Sequence, residues 1–267
     1  MSVLENPSPE FNAVLAALAA AKRVLFITGA GVSAESGLPT YRGIGGLYND
    51  QATEDGVPIE AALSGQMLAQ RPALTWKYLR QIESGCREAG FNAAHQAIAD
   101  LQRHADVWVL TQNIDGFHAD AGSRNVVEIH GNARHVTCTV CAWQAQLDDY
   151  SRWDAQPDQA PSCPDCGALV RPEVVLFGEM LPTAALDQLY QQLQRGFDVV
   201  LSVGTSSVFP YIAEPVLAAA QSGITTIEIN PAETEVSAVV RWKFSQPAGE
   251  LLPNWVAALD QARGTVI

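Results

Sequence analysis

The chain has 267 residues, 48% of them hydrophobic and 17% charged, which is enough apolar material for one large domain with an insertion and too much for a disordered chain. Lys and Arg number 16 against 29 Asp and Glu, a formal net charge of −13 that argues against a protein tracking nucleic-acid phosphates and favours cationic partners such as lysine-rich segments. No uninterrupted apolar run is long enough to cross a bilayer, and Glu5 and Glu10 stand where a secretory leader would carry positive charge, so the expected location is the cytoplasm.

In chain order, residues 11–22 read as a helix rich in Ala and Leu, and 24–28 as a short apolar strand that stops at Gly29. Residues 43–90 hold no apolar strand, only a Gly-rich loop and helix-like segments. Strand-like runs follow at 107–111, 126–129, 174–177, 199–203 and 224–229, with helical segments at 184–195 and 211–222 as crossovers. Runs apolar on both faces are what a parallel sheet covered by helices requires, so the fold class is α/β. The polar, Pro-rich stretch at 138–166 and the segment at 43–90 look like insertions forming a smaller lobe.

Gly29-Ala30-Gly31-Val32-Ser33-Ala34 follows a strand and can open a helix, as a dinucleotide-binding turn does: glycine lets the backbone approach a pyrophosphate, and a helix N-terminus stabilises its charge. A standard unit would place a second strand ending in an acidic residue about 20 residues on. A loop, TYRGIGGLYNDQAT, stands there instead. Either a cofactor lies differently across the sheet or the glycines serve only a tight turn.

Ligands gather at the carboxyl ends of parallel strands. The residues there are Thr111-Gln112-Asn113-Ile114-Asp115, His130-Gly131, Gly204-Thr205-Ser206 and Asn230. Each alone could be a turn or a helix cap; together they describe a rim of hydroxyl, amide, carboxylate and imidazole groups. His130 is the natural general base, because its ordinary pKa lies near neutrality and a glycine follows it.

The five cysteines comprise Cys138-x-x-Cys141, Cys163-x-x-Cys166 and a singleton, Cys86. Two such pairs in a polar insertion fit a zinc site better than a redox pair or a disulfide framework. Four thiolates close a tetrahedral shell, so the metal would be structural.

The segments GAGVSAESGLPTYRG (29–43), TQNIDGFHADAG (111–122), EIHG (128–131), the cysteine quartet, LFGEMLP (176–182), VGTSSVFP (203–210) and INPAE (229–233) resemble, in order, the motifs of the sirtuin family. The resemblance implies a Rossmann-like domain at 1–42, 91–135 and 172–267, a cofactor-loop and helical module at 43–90 and a zinc-binding module at 136–171. It also accounts for the missing second strand, because sirtuins bind NAD in an inverted sense. It implies that NAD is a consumed co-substrate, with one structural Zn2+ held by Cys138, Cys141, Cys163 and Cys166. Gly29, Ala30, Gly31 and Ser33 would line the phosphates, with Tyr41 and Arg42 in the loop over the nicotinamide ribose. Gln112, Asn113, Ile114 and Asp115 would surround the nicotinamide end, with Asp115 on the carboxamide. Gly204, Thr205 and Ser206 would hold the phosphate and adenosine side, and Asn230 the adenine ribose.

The implied reaction is transfer of an acyl group from lysine to ADP-ribose. The acyl oxygen attacks the nicotinamide ribose as nicotinamide leaves, with Asn113 positioning the reactants; His130 then takes a proton from a ribose hydroxyl. The acylated peptide would lie extended between Gly178 and Glu179 on one side and Ser207 and Val208 on the other, with Phe177 and Ile114 walling the acyl channel. Neither nucleic acid nor membrane is an expected partner. An NAD glycohydrolase or ADP-ribosyltransferase using the same cleft is the alternative, and a non-catalytic NAD or ADP-ribose sensor a third class.

Two departures stand out. Tyr41 replaces the Phe that many sirtuins carry. Sirtuins specialised for succinyl- or malonyl-lysine carry Tyr and Arg three residues apart in the helix after the cofactor loop, where this chain aligns Leu79 and Ile82. Neutral acyl groups are therefore the expected substrates.

Overall fold

The computed structural model describes residues 8–39 and 53–264. Helix α1 (Pro9–Ala20) starts where Ser8 accepts from the Phe11 amide at 3.1 Å and Pro9 presets the first turn, and it buries Phe11, Val14 and Leu18. Strand β1 (Arg23–Thr28) runs into the short α2 (Ala30–Ser33). Then come α3 (Ile59–Ala62), α4 (Gly65–Gln70) and α5 (Pro72–Glu88). Helix α6 (Ala93–Asp100) opens on a reciprocal cap, in which the Asn92 side chain accepts from the Ala94 and His95 amides and the Asn92 amide donates to His95 Nδ1. After it follow β2 (Asp106–Thr111), α7 (Phe117–Asp120), β3 (Val126–Glu128), β4 (Gly131–Cys138), β5 (Gln144–Gln146) and β6 (Val170–Val174). The chain closes with α8 (Thr183–Arg195), β7 (Val199–Val203), α9 (Pro210–Gln221), β8 (Thr225–Ile229), β9 (Trp242–Phe244) and α10 (Ala248–Gly264).

Six strands form one sheet in the order β3-β2-β1-β7-β8-β9, every pair parallel. Side chains alternate along β1. Val24 and Phe26 pack under α1, α6 and α10 with Ile98 and Trp255. Leu25 and Ile27 face the opposite layer with Leu189 of α8 and Ile212 and Val216 of α9. Both faces are thus covered, as the apolar runs required. The strand order turns about β1, so the ends of β1 and β7 flank the crevice where such sheets take ligands.

The smaller lobe is the antiparallel sheet β5-β4-β6 with α3 to α5 packed on it. The two insertions share one core: Trp76 and Leu79 of α5 meet Val136, Tyr150 and Val170, and the Trp76 indole donates to the Val170 carbonyl at 2.9 Å. The run at 174–177 does not join the parallel sheet as expected. Strand β6 ends at Val174 against β4, and Phe177 makes only an isolated parallel bridge with Ser64. A short apolar run shows burial but not which sheet buries it. Helices α6 and α10, strand β9 and the strands of the small lobe were not among the expected elements; several are short or half-buried, with weak periodicity. No helix among the described residues is long and apolar enough to cross a membrane.

Candidate active site

At the crevice, the Gly31 amide donates to the Gly204 carbonyl at 2.8 Å and binds the turn after β1 to the end of β7. A cavity of about 920 Å³ opens there, with Gly29, Gln112, His130, Thr205, Ser206 and Asn230 among its walls. Three strand ends interlock around Thr205. Gln112 Nε2 donates to its hydroxyl at 2.7 Å, and Asn230 Nδ2 donates to its carbonyl at 3.0 Å.

Deeper in, Asn113 Nδ2 donates to Ser33 Oγ at 3.0 Å and to the Gly29 carbonyl at 3.2 Å. Ser33 in turn donates to Asp115 Oδ2 at 2.8 Å, and the Phe117 amide fixes Oδ1 at 3.0 Å. Burial pushes the Asp115 carboxyl above its usual range, against the pull of those two donors. A smaller cavity of about 150 Å³ abuts this chain, walled by Ser33, Asn113, Ile114 and Asp115 together with Ile82 and Cys86. Behind it lie two buried imidazoles that the motif reading missed. His118 Nε2 is 2.9 Å from Thr28 Oγ1, and the His95 ring stands 4.8 Å from that of His118. The Asn92-x-x-His95 spacing ahead of an Ala-rich run was the available signal for His95.

His130 sits where the chain leaves the parallel sheet for the small lobe. Its carbonyl accepts from the Val175 amide at 2.9 Å, and Gly131, at φ 78, pairs with Val174 as β4 begins. A side chain at position 131 would run into the Glu173 carbonyl, so only glycine lets the two strands meet there. Nδ1 of His130 is 3.0 Å from the Gln112 carbonyl, which can only accept; Nδ1 therefore carries the proton in the neutral ring and Nε2 the lone pair. Nε2 is 2.7 Å from Tyr211 Oη, a partner the sequence reading did not single out. Burial holds the imidazole below its ordinary pKa, while the Gln112 carbonyl works the other way.

On the small-lobe side, the Phe177 amide donates to the Leu63 carbonyl and the Gly65 amide to the Phe177 carbonyl, at 3.0 and 3.1 Å. Glu179 is held by both guanidinium nitrogens of Arg171, at 2.6 and 2.8 Å, and by the Leu176 amide at 2.9 Å; desolvation pushes its carboxyl up, but these partners together bring it below the usual range. Phe177, Gly178 and Glu179 line the large cavity, as do Leu63, Leu79, Ile82 and Ile114. Arg80 points elsewhere, donating to the carbonyls of Pro157 and Gln159 at 2.5 and 2.7 Å, and the Tyr78 hydroxyl is bound to Asp55. Ser207 is buried at φ 55 with its hydroxyl 3.4 Å from that of Ser202, and neither it nor the half-exposed Val208 lines the cavity. Tyr41 and Arg42 lie outside the described residues.

The Sγ atoms of Cys138, Cys141, Cys163 and Cys166 all lie within 4.8 Å of one another. The amides of Val140 and Cys141 point at Cys138 Sγ, at 3.3 and 3.4 Å. Four soft donors converging on one point with backbone amides behind them fit a closed zinc shell and leave no place for a reacting water. Cys86 stands apart, its thiol pushed up to about 12 mainly by burial.

A family model described as "Sir2 family" matches residues 29–210. The chain is 51% identical over 258 residues to the NAD-dependent protein deacylase 2 of Pseudomonas aeruginosa, covering 95% of this chain and 98% of that one. A crystal structure of a Sir2 homolog–NAD complex superposes with a TM-score of 0.83 at 37% identity, over 94% of each chain. A Sir2–p53 peptide–NAD+ complex superposes with a TM-score of 0.79 at 27% identity, over 96% of this chain and 99% of that one. With the strand order, the glycine contact and the cysteine quartet already pointing the same way, the chain belongs to the Sir2 family.

Proposed function

We propose that this chain is an NAD-dependent protein deacylase that removes acetyl or other neutral acyl groups from lysine side chains, giving nicotinamide, O-acyl-ADP-ribose and free lysine. The observation that carries this reading is a single cavity in which the glycine turn, Asn113 and His130 face an apolar wall made by the small lobe, while Ser33 and Asp115 hold Asn113 from the smaller cavity beside it. When bound, NAD supplies the electrophilic ribose carbon and the ADP-ribose that carries the acyl group away. The relative from Pseudomonas aeruginosa bears the deacylase name, and the solved complexes hold NAD and a peptide.

In this reading the backbone at Gly29, Ala30 and Gly31 takes the phosphates, assisted by Gly204, Thr205 and Ser206 across the crevice, while the buried Ser33 hydroxyl, its proton given to Asp115, braces Asn113 behind them. Asn230, fixed by Thr205, meets the adenine ribose. Asn113 is held by Ser33 and Gly29 so that its amide is oriented before the reactants arrive. Asp115 and Ile114 bound the nicotinamide end, and Gln112 braces Thr205 while its carbonyl fixes the His130 tautomer. With Nδ1–H committed to that carbonyl, Nε2 is the atom that takes the proton from a ribose hydroxyl. Tyr41 and Arg42 complete the cofactor loop.

Phe177, Gly178 and Glu179 form one edge of the peptide slot and the backbone of Ser207 and Val208 the other. The buried Ser207 hydroxyl leaves only main chain for contact, in keeping with recognition that reads little sequence. Leu79 and Ile82 wall the acyl channel and offer no partner to a carboxylate. Cys138, Cys141, Cys163 and Cys166 hold one zinc ion whose work is to fix the small lobe. Residues 1–42, 91–135 and 172–267 act as the NAD-binding domain, 43–90 as the cofactor-loop and helical module and 136–171 as the zinc module, in a protein that works in the cytoplasm without nucleic-acid or membrane partners.

The test is mass spectrometry of a lysine peptide carrying a panel of acyl groups, with and without NAD. Nicotinamide and O-acyl-ADP-ribose should form in equal amounts and only with acylated peptide. Nicotinamide release without peptide would assign the cleft to an NAD glycohydrolase or ADP-ribosyltransferase.

A further inference from the structure

Tyr211 lies in the first turn of α9, directly after Pro210, and its ring stacks on Phe209 with centroids 5.5 Å apart and planes 13° from parallel. Both rings meet the His130 imidazole edge-on, at 6.0 Å for Phe209 and 5.9 Å for Tyr211. The Tyr211 hydroxyl is 2.7 Å from Nε2, the one ring nitrogen left with a lone pair once Nδ1–H is given to Gln112. Burial pushes the phenol up to about 12, so the hydroxyl keeps its proton wherever the enzyme works and acts as the donor. Tyr211 also lines the large cavity, so its hydroxyl stands on the side from which a substrate hydroxyl must approach.

We propose that Tyr211 is a positioning residue that caps the base: its hydroxyl holds His130 by Nε2 and has to be exchanged for the ribose hydroxyl of the co-substrate before a proton can move. This rests on the reading of His130 as the base and adds a step to it. Nε2 has one lone pair and accepts one hydrogen bond. The tyrosine and the substrate therefore compete for it. The exchange trades one hydrogen bond for another, so the cap does not block binding but weakens it, while the stacked Phe209 keeps the ring close to hand.

Tyr211→Phe keeps the stacking and removes only the competing donor; Tyr211→Met removes it in an unrelated shape and guards against an idiosyncratic loss of folding. In the full-length, zinc-loaded protein both variants should lower KM for NAD by about threefold or more, the worth of one exchanged hydrogen bond, with the gain falling on KM rather than on kcat. In protein labelled with 15N-histidine, the Nε2 resonance should move in both variants to the position of a nitrogen without a hydrogen-bond donor. Unchanged KM for NAD and an unchanged Nε2 resonance would overturn the proposal. So would a fall in kcat of tenfold or more at constant KM, which would put the hydroxyl in the path of the proton. His130→Ala separates the two layers: if it still forms O-acyl-ADP-ribose at the normal rate the base assignment fails, whereas an inactive His130→Ala beside an unaltered Tyr211→Phe defeats only the cap.

Discussion

The Gly31 and Gly204 backbones are in contact: a Cβ on Gly31 would lie 2.7 Å from the Gly204 Cα, and one on Gly204 would lie 2.3 Å from the Val32 nitrogen. Gly204 also sits at φ 59, in the left-handed region. Gly204→Ala should therefore cost roughly 3 kcal/mol or more from strain and overpacking together, and should weaken NAD binding by widening the crevice. Urea unfolding and calorimetry with NAD check both. A variant of wild-type stability and affinity would mean that the two turns are not the phosphate-facing contact.

Buried Cys138 and Cys163 belong to the same core as Trp76 and Tyr150. Cys163→Ser should leave zinc well below one per chain and lower the unfolding midpoint by ~10 °C or more. Metal analysis and thermal scans followed by tryptophan fluorescence read this directly, because Trp76, Trp143 and Trp153 all lie in that lobe. Full zinc content in the variant would remove Cys163 from the ligand set.

Two pH effects are expected, both losses toward acid but of different origin. His130 acts as a base only when neutral, and burial lowers its pKa, so deacylation should be complete at pH 7 and be lost as pH falls through a value below the ordinary one near 6.5. The profile of kcat/KM against pH measures this; an acid limb above pH 7 would contradict the burial argument.

Stability has its own acid limb. Burial holds His95 down to about 4 and lowers His118 as well, whereas the unfolded chain protonates both near 6.5. Stability is therefore intact above that value and is lost as pH falls toward 4, with the raised carboxyl of Asp115 opposing the trend. His95→Gln should flatten the slope between pH 6.5 and 4 in urea titrations. An identical slope in the variant would transfer acid sensitivity to other groups.

Leu79 and Ile82 face the cavity with no cation beside them among the described residues lining it. Placing a succinyl carboxylate there unpaired should reduce kcat/KM by about 100-fold or more relative to acetyl-lysine. Ile82→Arg should narrow that gap by supplying a partner. Equal efficiency of the native enzyme on both peptides would show that the channel is elsewhere.

Much of this site could be read from one sequence because its residues follow directly on strands. Gln112, Asn113, His130, Thr205 and Asn230 occupy strand ends, and a parallel sheet brings strand ends together whatever the loops do. Residues that reach the site sideways were less legible. Tyr211 lies one helical step past the motif, and its bearing on His130 depends on how α9 is rotated, which no periodicity encodes. Ser207 was legible as a neighbour of the cleft but not as a buried hydroxyl, since its left-handed backbone turns the side chain inward. Trp76 could be read as a core residue but not as the link that makes the two insertions one lobe.

The chain passes between the lobes at His130-Gly131 and again at Val174-Val175, and those two crossings are hydrogen-bonded to each other. The base thus sits at a seam fastened from both lobes, where main-chain bonds hold its backbone in place whatever side chains the surrounding loops carry.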